Sequence, residues 1–354
     1  MADVANTVDP LDLEDFTAAV FERVGLPSED ARTEAKVLIW ANLRGVDSHG
    51  VLRIPLYIDL VDKGVMNTSP NITTLAESAA TILVDADNAF GPVVTVATMQ
   101  KVLDKARNVG VGWAVIRNTT HQGAMGYYVH MAADIGMAGI AIVCSPPNMA
   151  PFGARASGVH NSPIAIGVPG GNHGPLVLDM ATSVAAGGKL ELAKDKGLPI
   201  PKEWAIDADG NPTTDPHQSA SLLPAGGPKG SGLAMMFECL ASLTAGNPLI
   251  APTLLARNNG GQAPVGMVQN SVLAAVNIAS FTSVSGYRQD LDRTVEGIKS
   301  LPPVEGATEV MVPGEPEARV LAERSQNGIP LPNGTVERLR EVASRLEVPM
   351  PNGL

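Results

Sequence analysis

The sequence predicts an α/β fold in which a mixed β-sheet is accompanied by a helical part formed from both chain termini. Three observations support this class. Short apolar segments alternate with helical periods between residues 81 and 145, as expected for strands joined by crossover helices. The apolar segments 162–169 and 175–181 are joined by GGNHG, which indicates a hairpin and therefore a mixed sheet. Both chain ends show helical periodicity.

The amino-terminal part, assigned to residues 1–75, contains two amphipathic helices. Asp9 and Pro10 supply a capping carboxylate and a first-turn proline for the first helix. Ser28, followed by two acidic residues, is expected to cap the second helix, which runs to about Arg44.

An α/β core is assigned to residues 76–285, with strands at 81–86, 112–117, 139–145, 162–169, 175–181 and 271–279. The carboxy-terminal part, residues 286–354, ends in a helix over 333–348 that Thr335 is expected to cap. Because both termini are helical, we expect them to pack together beside the core.

Composition excludes several classes of protein. Of 354 residues, 45% are hydrophobic and 17% charged, so the chain has enough apolar surface to fold. A net charge of -11 argues against nucleic acid or an anionic membrane as partner. The start lacks a secretory signal and no apolar run is long enough to span a membrane, so we expect a cytoplasmic protein. The two distant cysteines, Cys144 and Cys239, form neither a disulfide framework nor a cysteine-rich zinc site, and no metal is expected.

Common ligand-binding motifs are absent. The segment GVGWAV at 110–115 lacks the third glycine of the dinucleotide fingerprint and begins a strand where the fingerprint requires a helix. No P-loop, GxSxG or HExxH motif occurs. The Rossmann fingerprint therefore fails, and the usual signals of hydrolases and NTPases are missing.

The strongest candidate for chemistry is His49, in the segment DSHGVLRIPLY. Asp47 and Ser48 are positioned to orient its imidazole, Gly50 permits a close approach, and Arg53 follows shortly after. An arginine beside a titratable imidazole suits the binding of a carboxylate next to a proton-transfer centre. A capped helix start is the structural alternative.

Other candidates follow predicted strands. His121 lies in NTTHQGAMGYY, directly after a strand, where α/β sheets place ligand loops. SPPNMAPFGA offers Ser145 and Asn148, and LDMATS offers Asp179. GPKGSG presents Lys229 at a helix start, a common phosphate or carboxylate site. Ordinary turns with incidental glycines are the alternative in each case.

These motifs, with IDADGNPTTDP at 206–216 and a late PGE at 313–315, resemble in order and spacing the type-2 malate/L-lactate dehydrogenase family. The resemblance extends from about residue 10 to residue 345. That family includes ureidoglycolate and sulfolactate dehydrogenases, 2,3-diketogulonate reductase and piperideine-2-carboxylate reductase. The resemblance implies an NAD(P)-dependent oxidoreductase with a non-Rossmann cofactor domain, active as a homodimer on a small carboxylate substrate.

The resemblance also implies residue roles. His49 would act as acid/base with Ser48 as its relay partner, and His121 matches a histidine with that role in some members. Arg53 and Tyr57 would bind the substrate carboxylate. The positions that match the cofactor site are His121, Ser145, Asn148, Asp179, Met180, Ala181, Lys229, Gly230 and Glu315. NAD is the expected cofactor, because the sequence shows no basic cluster that would bind the 2′-phosphate of NADP. NADP is the alternative.

Two departures from the family pattern bear on the substrate. Gln122 stands where many relatives have phenylalanine, which would make the pocket more polar or wider. Lys189 stands near a position that is acidic in imine reductases. A lysine repels a cationic imine and favours an anionic substrate, so a 2-hydroxy acid is expected. Reduction of a cyclic or N-alkyl 2-imino acid is the alternative, and a non-catalytic cofactor-binding protein is a remote one.

Overall fold

The computed structural model describes residues 6–259 and 268–354 of the chain. The strands are β1 (Asn6–Val8), β2 (Thr73–Glu77), β3 (Thr81–Asp85), β4 (Val111–Thr119), β5 (Met137–Cys144), β6 (Ile164–Val168), β7 (Leu176–Met180), β8 (Ala205–Ile206), β9 (Ser221–Leu222), β10 (Gln269–Asn277) and β11 (Ile329–Leu331). The helices are α1 (Pro10–Arg23), α2 (Ser28–Leu43), α3 (Ile54–Asp62), α4 (Gly91–Val109), α5 (Gly126–Asp134), α6 (Gly187–Lys196), α7 (Pro228–Glu238), α8 (Ile250–Asn258), α9 (Val284–Lys299), α10 (Glu315–Asn327) and α11 (Asn333–Leu346).

A seven-stranded mixed sheet forms the centre, in the order β2-β3-β4-β10-β5-β6-β7. Strands β3 and β4 are parallel and are joined by the crossover helix α4, whereas the other neighbouring pairs are antiparallel. Strands β6 and β7 form the expected hairpin. The mixed, non-Rossmann α/β sheet expected from the sequence is thus confirmed.

Apolar side chains along β4 point alternately to the two faces of the sheet. On one face, Ala114 and Ile116 of β4 contact the core formed with α4 and α5. On the other face, Val115 packs with Phe237 of α7 and with Ala241, in a short π-helical continuation of α7. The period of two along β4 places its side chains in these two separate layers.

The chain termini form the second part of the molecule. Strand β1 pairs antiparallel with β11, and the core beneath them joins apolar residues of α1, α2, α3 and α11. The expected helical part formed by both termini is therefore confirmed, whereas the β1–β11 pair was not expected. The exact domain boundaries stay a prediction.

Two expected helix caps are wrong. Helix α2 does begin at Ser28, but Pro27 occupies the cap position and no side chain caps the helix. Helix α11 begins at Asn333 after Pro332, which places Thr335 inside the first turn, where its side chain is buried. In both cases a proline fixes the extended backbone that enters the helix. Across the two described ranges, we find no helix with the length and apolar character that crossing a membrane would require.

Candidate active site

A cavity of about 1250 Å³ lies at one edge of the central sheet. Strands β4 and β5 both run antiparallel to β10, and β7 runs antiparallel to β6, which is itself antiparallel to β5. The carboxyl ends of β4, β5 and β7 therefore meet at the same edge. Ligand sites of open α/β sheets are usually found at such an edge.

The opposite wall of the cavity is the segment after α2, which includes His49. Asp47 was expected to orient the imidazole, but the structure shows no such contact. Its carboxylate instead accepts hydrogen bonds from Asn42 Nδ2 at 2.7 Å and from Arg324 Nη1 and Nη2 of α10 at 2.6 and 3.1 Å. Asn42 Oδ1 also accepts the Val51 N–H at 2.8 Å, and a side chain at Gly50 would collide with that oxygen. These contacts fix the wall to both termini.

His49 and His121 meet across the cavity. Their rings stack with centroids 5.4 Å apart and an interplanar angle of 25°. Ser48 Oγ lies 3.0 Å from His49 Nδ1, the contact expected of a relay partner. Two residues separated by 72 positions in sequence are thus brought together at one place.

His121 is held in one tautomer. The Tyr57 hydroxyl lies 2.5 Å from its Nδ1, and the Gly123 N–H approaches the same nitrogen at 3.3 Å. Burial raises the pKa of Tyr57, so the phenol stays protonated and donates. Because both neighbours are donors, Nδ1 is the acceptor and the neutral ring bears its proton on Nε2.

Both histidines are held neutral. Burial, followed by the charge of Arg53, lowers the pKa of His49 to about 4. The same two causes, together with His49 itself, lower the pKa of His121 well below its usual range. A neutral imidazole is the form that accepts a proton from a substrate.

Arg53 is the cation whose charge acts on both histidines. Its Nε donates to the Ser48 carbonyl at 2.6 Å, and no carboxylate among the described residues pairs with it. Gly188, at the start of α6, packs against Ser48 and near the Arg53 guanidinium, and a Cβ there would lie 2.8 Å from Ser48 Cβ. The turn before Lys189 therefore closes the cavity over Arg53. Lys189 itself also lines the cavity.

Tyr57 lies behind this surface. Its side chain is 0% exposed and lies outside the cavity wall, with its hydroxyl directed at His121. The substrate-binding role implied by the resemblance stays a prediction, and the observed contact is one with the histidine.

Most of the expected cofactor positions line the same cavity: Ser145, Asn148, Asp179, Met180, Ala181 and Glu315. Burial raises the pKa of Asp179 to about 6, while the Gly126 N–H at 2.7 Å opposes that rise. Lys299 and Arg319 pair with Glu315 and hold its pKa below the usual range.

Two expected cofactor residues are not part of the cavity wall. Lys229 is exposed, and Gly230 is buried behind the wall, where a Cβ would lie 2.3 Å from the Thr182 carbonyl oxygen. Their roles stay predictions.

Gln122 does not present a free amide to the cavity. Its side chain is 1% exposed. Oε1 accepts from Thr95 at 2.9 Å, and Nε2 donates to Gln269 Oε1 at 3.4 Å. The Gln122 amide therefore forms buried hydrogen bonds beside the pocket and, contrary to expectation, does not make the pocket surface more polar.

Several residues of the site were not identified from the sequence. Gly91 packs so tightly on His121 that a Cβ would lie 2.2 Å from its carbonyl oxygen, and a lone glycine before a proline gives no signal for such a contact. Trp40, on the last turn of α2, and Arg44, the residue that follows this helix, also line the cavity. Within residues 6–259 and 268–354, no group of three or more potential side-chain ligands could hold a metal ion.

The geometry fits a ligand larger than an ordinary small molecule. Pockets for such molecules span roughly 300–1,000 Å³, and this cavity exceeds that range. A dinucleotide beside a small acid would occupy it, with the Asp179 carboxylate as an acceptor for a hydroxyl group, whereas both oxygens of Glu315 already accept hydrogen bonds within the protein.

Comparison with known proteins identifies the class of protein to which this chain belongs. Malate/L-lactate dehydrogenase sequences match residues 8–340. The L-sulfolactate dehydrogenase of Methanocaldococcus jannaschii is 36% identical over 92% of this chain and 93% of its own. The malate dehydrogenase of Entamoeba histolytica superposes with a TM-score of 0.92 at 27% identity, covering 98% of this chain and 99% of its own. The delta1-piperideine-2-carboxylate reductase of Pseudomonas syringae superposes with a TM-score of 0.82 at 30% identity, over 95% of this chain and 99% of its own.

These similarities show that the chain is an oxidoreductase of the dehydrogenase class, which uses a nicotinamide cofactor. Within that class, the chain belongs to the malate/L-lactate dehydrogenase family.

Proposed function

We propose that the enzyme interconverts a small 2-hydroxy acid and its 2-oxo acid. The observation that supports this most is the Arg53 guanidinium, unpaired with any carboxylate in the described part of the chain, beside two stacked neutral histidines. A guanidinium binds a carboxylate through two parallel hydrogen bonds. The carbon next to that carboxylate then lies where an imidazole reaches its oxygen.

The two histidines have different roles in proton transfer in this proposal. His121 presents an N–H at Nε2, which donates to the substrate oxygen. Among the described residues, the His49 ring has one hydrogen-bond partner, the Ser48 hydroxyl at Nδ1. A hydroxyl both donates and accepts, so His49 is free to exchange its tautomer. We therefore assign proton acceptance during oxidation to His49, with Ser48 as its relay partner. Bound nicotinamide supplies the hydride chemistry at the substrate carbon.

Substrate binding changes the His49 pKa in the same sense in both directions of the reaction, because the hydroxy acid and the oxo acid carry the same carboxylate. A carboxylate on Arg53 offsets the positive charge that is the second cause of the low His49 pKa. The pKa of His49 therefore rises when substrate binds, and its imidazolium becomes available to return the proton during reduction.

The reduction of a cyclic imine is the competing reaction, because a piperideine-2-carboxylate reductase shares the fold. Lys189 lines the cavity beside the turn that covers Arg53. A cation there opposes a cationic imine and favours an anionic substrate.

The test is the absorbance of reduced nicotinamide during incubation with pyruvate, oxaloacetate or a cyclic 2-imino acid, each with NADH and with NADPH. We expect turnover of a 2-oxo acid, with NADH preferred. Turnover of the imine alone would reverse the assignment of substrate. Binding of the cofactor with no consumption on any substrate would indicate a non-catalytic protein.

We also propose that the enzyme is a homodimer. Large apolar side chains of α7, its π-helical continuation and α8 are between 39% and 61% exposed: Leu233, Met235, Met236, Leu240, Leu243 and Leu255. Exposed apolar patches of this kind mark interaction surfaces. Analytical ultracentrifugation should give a dimer that Met235→Glu with Met236→Glu converts to a monomer, and a monomeric unsubstituted protein would contradict the proposal.

A further inference from the structure

A second arginine lines the same cavity and has no role in the chemistry above. The Arg44 guanidinium carbon lies 4.3 Å from the centroid of the Trp40 ring. Trp40 is itself fixed by edge-on contacts with Tyr127 and His130. The arginine therefore rests on a rigid aromatic platform.

Arg44 is a cation without an anionic partner. Among residues 6–259 and 268–354, its guanidinium makes no hydrogen bond or ion pair. The side chain is only partly exposed, and burial lowers the pKa of Arg44. A largely desolvated charge without a partner is costly unless a ligand supplies the opposite charge.

The charged groups that face Arg44 are few. Asp134 and Glu317 lie close enough to favour its charged form, but neither forms an ion pair with it. His130 is the other titratable neighbour, and burial followed by the charge of Arg44 lowers the pKa of His130 to about 4. His130 is therefore neutral and does not compete for an anion.

The position of Arg44 separates it from the substrate end of the cavity. Gly45 packs against Val320 of α10, the helix that begins at Glu315. Trp40 lies against Gly126, whose N–H donates to Asp179. Arg44 thus lies among the residues that we assign to the cofactor, whereas Ser48, Arg53 and Gly188 close the other end.

We propose that Arg44, supported by Trp40, binds a phosphate group of the nicotinamide dinucleotide. A planar guanidinium matches two phosphate oxygens at once. Glu317 and Asp179 line the same cavity, and their carboxylates can accept hydrogen bonds from ribose hydroxyl groups. A cation next to carboxylates in one groove is the combination that a ribose phosphate requires. This inference rests on the proposed function.

The experiment measures binding directly, by the fluorescence of NADH and NADPH titrated with protein in the absence of substrate. Arg44→Gln should weaken binding by about 10- to 100-fold, the value of a charge-assisted hydrogen bond pair. Arg44→Lys, which keeps the charge without the fork, should lose less. Arg107→Gln, an exposed arginine of α4 paired with Asp104, is the matched control and should bind as the unsubstituted protein does.

The two cofactors identify the phosphate. Equal losses for NADH and NADPH place Arg44 on the bridging diphosphate, and a loss for NADPH alone places it on the 2′-phosphate. Unchanged affinity for both cofactors in a folded Arg44→Gln protein overturns the proposal, as does a rise in the Michaelis constant for substrate alone. If the unsubstituted protein binds neither cofactor, both the proposed function and the phosphate site are wrong. If it binds a cofactor and Arg44→Gln binds it equally well, only the phosphate site is wrong. Thermal melting of each variant confirms folding.

Discussion

His49 and His121 stack against each other, yet the chain holds them in different ways. His121 follows a strand and receives two donors on Nδ1, from Tyr57 and from the Gly123 backbone. His49 follows a helix and contacts a single hydroxyl, that of its neighbour Ser48. One imidazole is thus fixed in its tautomer and the other is free to change it. The difference indicates that the two rings have separate tasks, although both are neutral.

Removing His49 should have the largest effect. We expect His49→Ala to lower kcat by about 10²–10⁴, the usual contribution of a general acid or base. The matched variant His121→Ala should also lose activity, because the oxygen then lacks its donor. Steady-state kinetics with both variants decides between them. Full turnover in His49→Ala, with His121→Ala inactive, would transfer the acid/base role to His121.

Changing Arg53 should act on binding. Arg53→Lys keeps the charge but loses the planar fork, so the Michaelis constant for the acid should rise by about 10-fold or more. The dissociation constant of NADH, measured by fluorescence, should stay the same and serves as the control. An unchanged Michaelis constant would show that the carboxylate binds elsewhere.

A substitution at Tyr57 tests whether the fixed tautomer of His121 matters for turnover. Tyr57→Phe removes the hydroxyl that holds His121 Nδ1 while keeping the buried ring, and we expect kcat to fall by about 10-fold. The Michaelis constant should change little, because Tyr57 lies outside the cavity wall. A large rise in that constant with unchanged kcat would instead support direct contact between Tyr57 and substrate.

The smallest effect is a shift in pH dependence. The pKa of His49 is lowered to about 4, and the neutral ring is the form that we propose accepts the proton. Oxidation should therefore keep its kcat/KM as the pH falls through 6.5 and lose it only on approach to about 4. In Arg53→Gln one of the two causes is gone, so the pKa of His49 should rise. NMR titration of the imidazole in both proteins measures this, and an ordinary value near 6.5 in the unsubstituted protein would refute it.

Periodicity was enough to predict most of the core elements. The strands around His121 and Ser145 are long apolar runs, and their order implied the common edge at which the site lies. The β1–β11 pair was not predictable, because each strand has only three residues and pairs across more than 300 positions. Local patterns also misplaced Asp47, whose partner Arg324 lies in a distant helix. Arg44 gave no signal, because an unpaired cation is recognisable only when its surroundings are known.

The bond between Asp47 and Arg324 has a consequence for biosynthesis. The wall that presents His49 is completed by a residue near the end of the chain. A ribosome therefore releases the segment that carries His49 long before its support exists. Since chains fold progressively during synthesis, the amino-terminal helices must wait for α10 before the histidine is fixed. Premature termination before residue 324 would leave a chain that contains both histidines but lacks the anchor that fixes one of them.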